Sequence, residues 1–205
     1  MLRIPKAAAV GVAASALLMA ALVPCFPQGA PPPAAPPPAE SAQPAPAPTQ
    51  PGDAFGEEVT IAAKPIVYMK GTATWDNAYE SLVDAFKSVR GYIDREKLKT
   101  DGPPMTIYLA TDDTGFQFEA AIPVAEAPKD SPKGDLAVGT SPDGRAVKFV
   151  HRGSYDSMDT TYDAITNYLD QKGLEAKDLF IEQYVTDPTT TPEEKLVIEV
   201  FVPVK

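Results

Sequence analysis

A single carboxylate stands out in this sequence because of the residues on either side of it. Glu182 lies in the otherwise apolar run LFIEQYV, at residues 179–185. If the run forms a strand, Phe180, Glu182 and Tyr184 share one face. A carboxylate on a buried face must find a partner or stay protonated, since desolvation raises its pKa. A bound cation could be that partner, with aromatic rings adding about 0.5–2 kcal/mol each. From the strand alone, an ordinary carboxylate on an exposed face is the simpler interpretation.

The sequence contains few residues that could form a metal site or a nucleophilic catalytic site. The chain has one histidine, His151, and one cysteine, Cys25, so the usual nitrogen and sulfur ligands of a transition-metal site are missing. His151 is expected at a strand end beside Arg152, whose charge disfavours the protonated ring, and no nucleophile accompanies it. The aspartates between residues 156 and 170 fit a solvated helix face and lack the spacing of a calcium loop. We therefore predict no metal and no cofactor, and the sequence favours a protein that is not an enzyme without deciding the question.

The elements that must position Glu182 occur twice along the chain. The first half reads as a strand at 58–71, a helix at 75–90, and strands at 105–110 and 115–124. The second half reads as a strand at 145–151, a helix at 156–171, and strands at 179–186 and 196–204. Gly91 and Gly173 are predicted to end the two helices. The connector at 129–144 contains several Pro and Gly residues and has room for one extra strand at 136–140.

Three short matches occur in the same order in both halves. YESL at 79–82 aligns with YDAI at 162–165, YLATD at 108–112 with YVTD at 184–187, and FEAAIPV at 118–124 with IEVFVPV at 198–204. We therefore predict an α+β fold of two pseudo-symmetric strand–helix–strand–strand modules that form a central cleft. Interfaces between such units are common places for ligands.

Several aromatic residues are expected to line this cleft. Tyr108 occupies the position equivalent to Tyr184, allowing one gap, and would form the opposite wall. Trp75, the only tryptophan, lies at the start of the first helix and would face the mouth of the cleft, and Tyr155 would do the same before the second helix. Each of these rings also fits a simple packing position. The predicted ligand-binding residues are Glu182, Tyr184, Tyr108, Trp75 and Tyr155.

The first quarter of the chain has the composition of a targeting segment followed by a linker. Arg3 and Lys6 precede an uncharged apolar run at 7–23, which is the order found in secretory signals. Residues 1–30 are predicted to be a signal peptide or membrane anchor, with lipidation at Cys25 as a third form. Residues 31–56 are predicted to be a Pro/Ala-rich linker, because ten of the 21 residues from 31 to 51 are proline. We expect an exported protein, periplasmic or secreted, with inner-membrane anchoring left open.

The part predicted to fold, residues 57–205, is acidic. The whole chain has 28 Asp and Glu against 18 Lys and Arg, a net charge of −10, and no Asp or Glu precedes Glu40. Such a surface repels phosphate backbones, and no cluster of Lys and Arg interrupts it, so we expect no nucleic-acid partner. The expected partner is a small molecule, with membrane contact possible only through the N-terminal segment.

The second half of the chain resembles the GyrI-like domain, the effector-binding module of many multidrug-sensing transcription regulators. The likeness is carried by HRGSY at 151–155, EQYVTDP at 182–188, TPEE at 191–194 and VFVPV at 200–204. It covers about 59–205 and is looser in the first half. The resemblance implies two strand–helix–strand–strand modules around a cleft for amphipathic, often cationic, compounds. It also implies that Glu182, set among aromatic residues, is the cation anchor.

This chain departs from the regulators of that family. It lacks a recognisable helix-turn-helix region, and an exported domain could reach neither DNA nor gyrase. The resemblance therefore implies a stand-alone module for the non-enzymatic binding of amphipathic, cationic or aromatic small molecules. Two alternatives stay open. Some family members hydrolyse cyclopropane-type reactive compounds, for which Glu182 would activate a water or donate a proton. The other is an envelope protein-interaction module without a ligand.

Overall fold

The computed structural model describes residues 55–130 and 132–205, which form one eight-stranded antiparallel sheet and two helices. The strands are β1 (Glu57–Ile61), β2 (Pro65–Thr74), β3 (Met105–Thr111), β4 (Gly115–Pro123), β5 (Leu136–Thr140), β6 (Gly144–Arg152), β7 (Phe180–Tyr184) and β8 (Val197–Pro203). The helices are α1 (Ala78–Glu96) and α2 (Met158–Lys172), and short 3₁₀ turns, Trp75–Asn77 and Tyr155–Ser157, lead into them. The predicted α+β class is confirmed, and so is the extra strand at 136–140.

The strand order shows how the two predicted modules combine. The order is β1-β6-β8-β7-β3-β4-β2-β5, so that β3 and β7 pair at the centre and each module extends to one side. The outermost strand on each side is exchanged between modules. β1 precedes β2 in the chain yet pairs with β6, and β5 precedes β6 yet pairs with β2. The two pseudo-symmetric modules are therefore joined at both edges of the sheet as well as at its centre.

The strand predicted at 58–71 is in fact two strands, because the chain bends at residues 62–64. The partner segment bends at 141–143, and Lys64 stays paired with Ser141, whose backbone N–H lies 2.8 Å from the Lys64 carbonyl oxygen. From Ile61 to Pro65 the chain can span at most about 14 Å. β1 and β2 stand six strand spacings apart in the sheet order, which is about 29 Å in a flat sheet. The sheet must therefore curl strongly.

The central strands of the two modules end in matching turns. The Asp112 carboxylate accepts a hydrogen bond from the backbone N–H of Thr114 at 2.7 Å, and the Asp187 carboxylate accepts one from that of Thr189 at 2.9 Å. The one-residue gap needed to align 108–112 with 184–187 is a β-bulge that follows Tyr108 in β3. The repeat in the sequence therefore corresponds to a repeat in backbone structure.

One of the three sequence matches is wrong. Tyr79 is the second residue of α1, whereas Tyr162 is the fifth residue of α2, so the two tyrosines are not equivalent. The 3₁₀ turns give the correct alignment, because Trp75 and Tyr155 each stand three residues before their helix. Leu82 is then the counterpart of Tyr162. The pseudo-symmetry holds, but the second module has a tyrosine where the first has a leucine.

The helices end differently from each other. Gly91 was predicted to stop α1, yet it lies inside the helix on the exposed face, and α1 continues to Glu96. Lys97 follows in the left-handed conformation, with a φ of 55°. α2 ends as predicted, with Gly173 in the left-handed position that glycine adopts most easily.

Two apolar layers hold the sheet. The larger lies between the sheet and both helices, and it includes Leu82, Phe86, Val89 and Ile93 of α1, Ile165 and Leu169 of α2, and Phe118, Phe149 and Val200 of the strands. The smaller lies on the opposite face, where Ile107, Ile181 and Phe201 are covered by the curl of the sheet. Both faces of the central β3–β7 pair are therefore buried, which sets the environment of every side chain on β7.

The N-terminal predictions fall mostly outside the described residues. The signal or anchor at 1–30 and the linker up to residue 54 belong to that part of the chain. The first described residue, Phe55, packs its ring 4.9 Å from that of Phe149, and the Tyr168 hydroxyl donates to the Gly56 carbonyl at 2.7 Å. The described chain thus begins fastened to the second module. No helix within 55–130 and 132–205 is long and apolar enough to cross a bilayer.

Candidate functional site

Glu182 lies at the centre of the sheet, on the face covered by the helices. In β7 it stands opposite Thr106 of β3 and Val200 of β8. Its exposure is 0%, as expected for a side chain between the sheet and the two helices. Phe180 and Tyr184 point to the same side, as strand alternation predicts. The alternative of an exposed face with an ordinary carboxylate is therefore wrong.

Four tyrosine hydroxyls surround this carboxylate. Oε1 accepts one hydrogen bond, from Tyr162 at 2.7 Å, and Oε2 accepts from Tyr108 at 2.9 Å, Tyr184 at 3.0 Å and Tyr155 at 3.3 Å. The hydroxyls of Tyr108 and Tyr155 are also 2.7 Å apart. Among the described residues, no Lys or Arg forms an ion pair with Glu182. We call Glu182 and these four residues the tyrosine cluster.

Burial controls the protonation of the cluster. It raises the pKa of Glu182, and the four tyrosine hydrogen bonds lower that pKa without cancelling the effect of burial. The pKa values of the four tyrosines lie well above their ordinary range, first because of burial and then because of the nearby Glu182 charge. The tyrosines are thus neutral donors, and burial disfavours the ionised form of the carboxyl group.

Aromatic rings pack around the polar centre. Phe180 stacks on Tyr108 with ring centroids 4.4 Å apart and meets Tyr162 edge-on at 5.3 Å. On the other side, Phe86 of α1 contacts Tyr184 edge-on at 5.2 Å. Rings in these arrangements present both hydrogen-bonding edges and π faces, the surfaces that bind organic cations in proteins.

A half-buried layer covers the cluster on the solvent side. Tyr79 of α1 lies over Tyr155 with ring centroids 5.4 Å apart, and its hydroxyl donates to the Pro188 carbonyl at 3.0 Å. Arg90 of α1 forms an ion pair with Asp187 at 3.0 Å in the same β7–β8 loop. Two contacts therefore hold α1 against this loop, directly beside the rings that separate Glu182 from water.

Residues 57–205 match the family model of the GyrI-like small molecule binding domain. The chain belongs to this family. The expectation drawn from the second-half motifs is confirmed, and the family description assigns small-molecule binding to the domain. No curated protein matches the chain.

Solved structures resemble this GyrI-like domain in fold. The C-terminal domain of EcmrR matches with a TM-score of 0.62 at 16% identity, over 73% of this chain and 96% of that one. In a complex of EcmrR with DNA, the match has a TM-score of 0.63 at 16% identity and covers 73% of this chain but only 57% of the regulator chain. A hydrolase from Listeria innocua matches with a TM-score of 0.56 at 14% identity, covering 74% and 92%. SAV2435 bound to tetraphenylphosphonium gives 0.51 at 18% identity, covering 74% and 94%.

The GyrI-like domain brings together four of the five predicted site residues. Glu182, Tyr184, Tyr108 and Tyr155 meet in the tyrosine cluster. Trp75 does not: it is 45% exposed, and its indole N–H donates to the Asp112 carbonyl at 2.9 Å. Its ring lies 4.8 Å from that of Phe116, which in turn lies 5.1 Å from Tyr108. Trp75 is thus two rings away from Glu182 and does not cover it.

Sequence reasoning missed two aromatic residues of the site. Tyr162 is the sole partner of Oε1, and Tyr79 forms the cover. In the sequence, Tyr162 marks only the match of residues 162–165 with 79–82. Its spacing of seven residues from Tyr155, about two helical turns, was the available signal, because residues at that spacing lie on the same side of a helix.

His151 lies apart from the tyrosine cluster, at a strand end beside Arg152 as predicted. It is buried at the end of β6, where Nδ1 lies 2.7 Å from the Thr161 hydroxyl and Nε2 lies 3.1 Å from the Ser154 carbonyl. Since a carbonyl only accepts, Nε2 carries the proton and Nδ1 accepts from Thr161. Burial lowers the pKa of His151, so the ring stays neutral. No group of metal-ligating side chains occurs within the described residues.

Proposed function

We propose that this GyrI-like domain binds amphipathic, cationic aromatic small molecules without turning them over, with Glu182 as counter-ion in the cleft between the two modules. The observation that carries the proposal is a fully buried carboxyl group whose partners are all tyrosine hydroxyls. A buried carboxylate without a basic partner is costly, and a ligand cation against it removes that cost. The same rings offer π faces to an organic cation.

Ligand entry requires the aromatic cover to move. Tyr155 and Tyr79 are half-buried rings that stack on each other; the Tyr155 hydroxyl contacts Tyr108 and Glu182, and the Tyr79 hydroxyl donates to the Pro188 carbonyl. Swinging them aside would open a cleft between the starts of α1 and α2. Rotation of side chains at an interface is common in binding.

The charge around the cover favours cations. The first turns of both helices carry exposed acidic side chains, Asp76 and Glu80 before and in α1, and Asp156 and Asp159 before and in α2. Negative charge at the mouth of a site raises the local concentration of positive ligands and their association rate. The acidic surface thus favours the same ligand class as the buried carboxyl group.

The comparisons support this choice of ligand. The family is described by small-molecule binding, and a protein of similar fold was solved with tetraphenylphosphonium, a bulky aromatic cation. Hydrolysis is the second candidate, because a carboxyl group with a raised pKa beside tyrosines suits a proton donor and a protein of similar fold is named a hydrolase. Turnover of a cyclopropane-type substrate that disappears in Glu182→Gln would establish it.

We also propose that the domain works on the outer side of the cytoplasmic membrane, tethered or secreted. The support is the charge order of residues 1–30 and the proline content of residues 31–56. Mass spectrometry of the mature N-terminus would distinguish cleavage, retention and lipidation at Cys25. A reporter fused after Lys205 that works only in the cytoplasm would contradict export.

Binding affinity tests the ligand proposal directly. Tetraphenylphosphonium should bind more tightly than triphenylphosphine oxide, a neutral aryl phosphorus compound. Glu182→Gln keeps the shape of the site but removes its charge, so we expect it to weaken phosphonium binding at least tenfold, about 1.4 kcal/mol. Glu119→Gln is the matched control, because Glu119 is a half-buried carboxylate of β4 that forms an ion pair with the exposed Lys70 and lies outside the tyrosine cluster. Equal affinities for the two compounds in the parent domain would refute the anchor role.

A further inference from the structure

The net charge of the tyrosine cluster depends on whether Glu182 is protonated, and a bound cation changes that net charge. Building on the proposed function, we propose that Glu182 carries a proton before a ligand arrives and that the site takes up a cation in exchange for that proton. The affinity of the domain for cations is then set by pH.

The oxygen atoms of the cluster make more contacts than its hydroxyl groups can supply with protons. Among the described residues, six oxygen–oxygen contacts join the Glu182 carboxyl group, the four tyrosine hydroxyls and the hydroxyl of Thr106. Each hydroxyl group carries one proton, which gives five in all. An ionised Glu182 therefore leaves one contact without a proton, and a protonated Glu182 supplies the sixth.

The missing proton can be assigned to a triangle of oxygen atoms. The hydroxyls of Tyr108 and Tyr155 and Oε2 of Glu182 are separated by 2.7, 2.9 and 3.3 Å. Two hydroxyl protons cannot serve three sides. If Oε2 donates to Tyr155, then Tyr155 donates to Tyr108 and Tyr108 donates back to Oε2. All three sides are then hydrogen bonds, and Tyr162 still donates to Oε1.

None of the elements packed around Glu182 brings a positive charge to it. The four tyrosines come from β3, β7, α2 and the 3₁₀ turn before α2, and β8 contributes Val200. From α1, Phe86 packs against Tyr184, and the charge of Arg90 is paired with Asp187. The next titratable side chain outward is Tyr79, whose pKa is raised by burial and by the charges of Glu193 and Asp187. These outer carboxylates also disfavour a negative charge at the centre.

Protonation agrees with the effect of burial. Desolvation raises the pKa of Glu182, and the tyrosine hydrogen bonds offset this only in part. A ligand cation placed against the same carboxyl group acts in the opposite sense, because an opposite charge within about 4–6 Å favours the ionised form. Ligand and proton therefore compete for one carboxyl group.

The exchange balances without a further reactant. The O–H bond of Glu182 breaks, its electron pair stays on the carboxylate, and the proton passes to solvent. The cation takes its place beside the carboxylate, so the buried site is electrically neutral before and after binding. Burying a neutral pair avoids the large desolvation cost of an unpaired charge.

Proton exchange predicts a definite pH dependence. Between the pKa of Glu182 in the complex and its pKa in the free domain, the affinity for a permanent cation rises by about tenfold per pH unit. Above the pKa of the free domain, the affinity becomes independent of pH and no proton is released. A neutral ligand gains nothing from rising pH. In Glu182→Gln the affinity for the cation is lower and has lost this pH dependence.

Isothermal titration calorimetry measures the released proton. The full chain is titrated with tetraphenylphosphonium from about pH 5 to about pH 8, at each pH in two buffers with different ionisation enthalpies. We expect release to approach one proton per bound cation at the acidic end and to fall toward zero at the basic end. No proton should be released when triphenylphosphine oxide binds the parent protein or when tetraphenylphosphonium binds the Glu182→Gln variant. The calorimetry of the parent protein decides the matter even if the variant folds poorly.

The outcomes separate this proposal from the proposed function. Tight phosphonium binding with no proton release at any pH would overturn the exchange and leave the binding function standing. Proton release that persists in a folded Glu182→Gln variant would assign the proton to another group and also overturn it. Failure of phosphonium to bind at any pH would refute both.

Discussion

Removing a single hydroxyl group tests how tightly the tyrosine cluster is balanced. In Tyr162→Phe, Oε1 of Glu182 loses its only hydrogen-bond donor, which lies 2.7 Å away. Because Glu182 is fully buried, water cannot replace the lost donor. Leaving a buried acceptor without a partner costs about 1–3 kcal/mol, and we expect Tyr162→Phe to lower the free energy of unfolding by that amount.

The matched control removes a hydroxyl group from the other oxygen. Tyr155→Phe removes a hydroxyl group that contacts Oε2 at 3.3 Å and the Tyr108 hydroxyl at 2.7 Å, and it leaves Tyr108 and Tyr184 as hydrogen-bond partners of Oε2. Because no oxygen atom of the carboxyl group is left without a partner, the loss should stay near the net value of an ordinary hydrogen bond, about 1 kcal/mol. Urea unfolding of both variants measures the difference, provided that the slopes with denaturant agree with the parent protein.

The pH dependence of the loss has a definite sign. A group whose folded pKa is raised contributes stability below its unfolded pKa, and that contribution is lost as pH rises through the folded pKa. The Tyr162 hydrogen bond lowers the pKa of Glu182, so its removal raises that pKa further. The gap between variant and parent should therefore widen as pH rises through the folded pKa of Glu182. A loss for Tyr162→Phe no larger than that for Tyr155→Phe would refute this account of the cluster.

Two further predictions concern parts of the fold outside the site. Burial lowers the pKa of His151, so its contribution to stability is complete above the ordinary histidine pKa, about 6.5, and is lost as pH falls through the folded pKa. His151→Asn should therefore weaken the dependence of the unfolding free energy on pH in that range. An unchanged loss of stability on acidification would contradict the view that His151 is buried in its neutral form. A Cβ at Gly115 would lie 2.1 Å from the Ala73 carbonyl oxygen, whereas one at Gly91 meets nothing within 4 Å. Gly115→Ala should therefore lower the thermal midpoint, and Gly91→Ala should raise stability by about 0.5–1 kcal/mol as a helix-interior change.

Local sequence patterns predicted much of the fold because the two modules follow local rules. Local patterns placed six of the eight strands, β3 to β8, within a few residues of their observed positions and merged β1 with β2, and the 3.6-residue period placed both helices. The repeated turn after each central strand was visible as TD at 111–112 and 186–187, because an aspartate that accepts from the backbone two residues on is a local device. The division at residues 62–64 was missed, since an alternating pattern runs through a bend as easily as through a straight strand.

The residue at the heart of the site was also predictable, but its partners were not. Alternation put Glu182 on one face with Phe180 and Tyr184, and the resemblance to the GyrI-like domain implied that this face binds a ligand. Whether the face was buried depended on what packed against it, which no local pattern records. Gly91 shows the same limit, because a glycine on an exposed helix face reads in the sequence like one at a helix end.

The sequence by itself determined the elements, their repetition and the family of this domain, because these follow from periodicity and short motifs. The tertiary structure decided which side chains meet. It exchanged the edge strands, brought Tyr162 rather than Trp75 to the carboxyl group and laid Tyr79 over Tyr155. The physical reason is distance along the chain: Tyr108 and Glu182 stand 74 residues apart, and only the pairing of β3 with β7 brings their oxygen atoms within 2.9 Å.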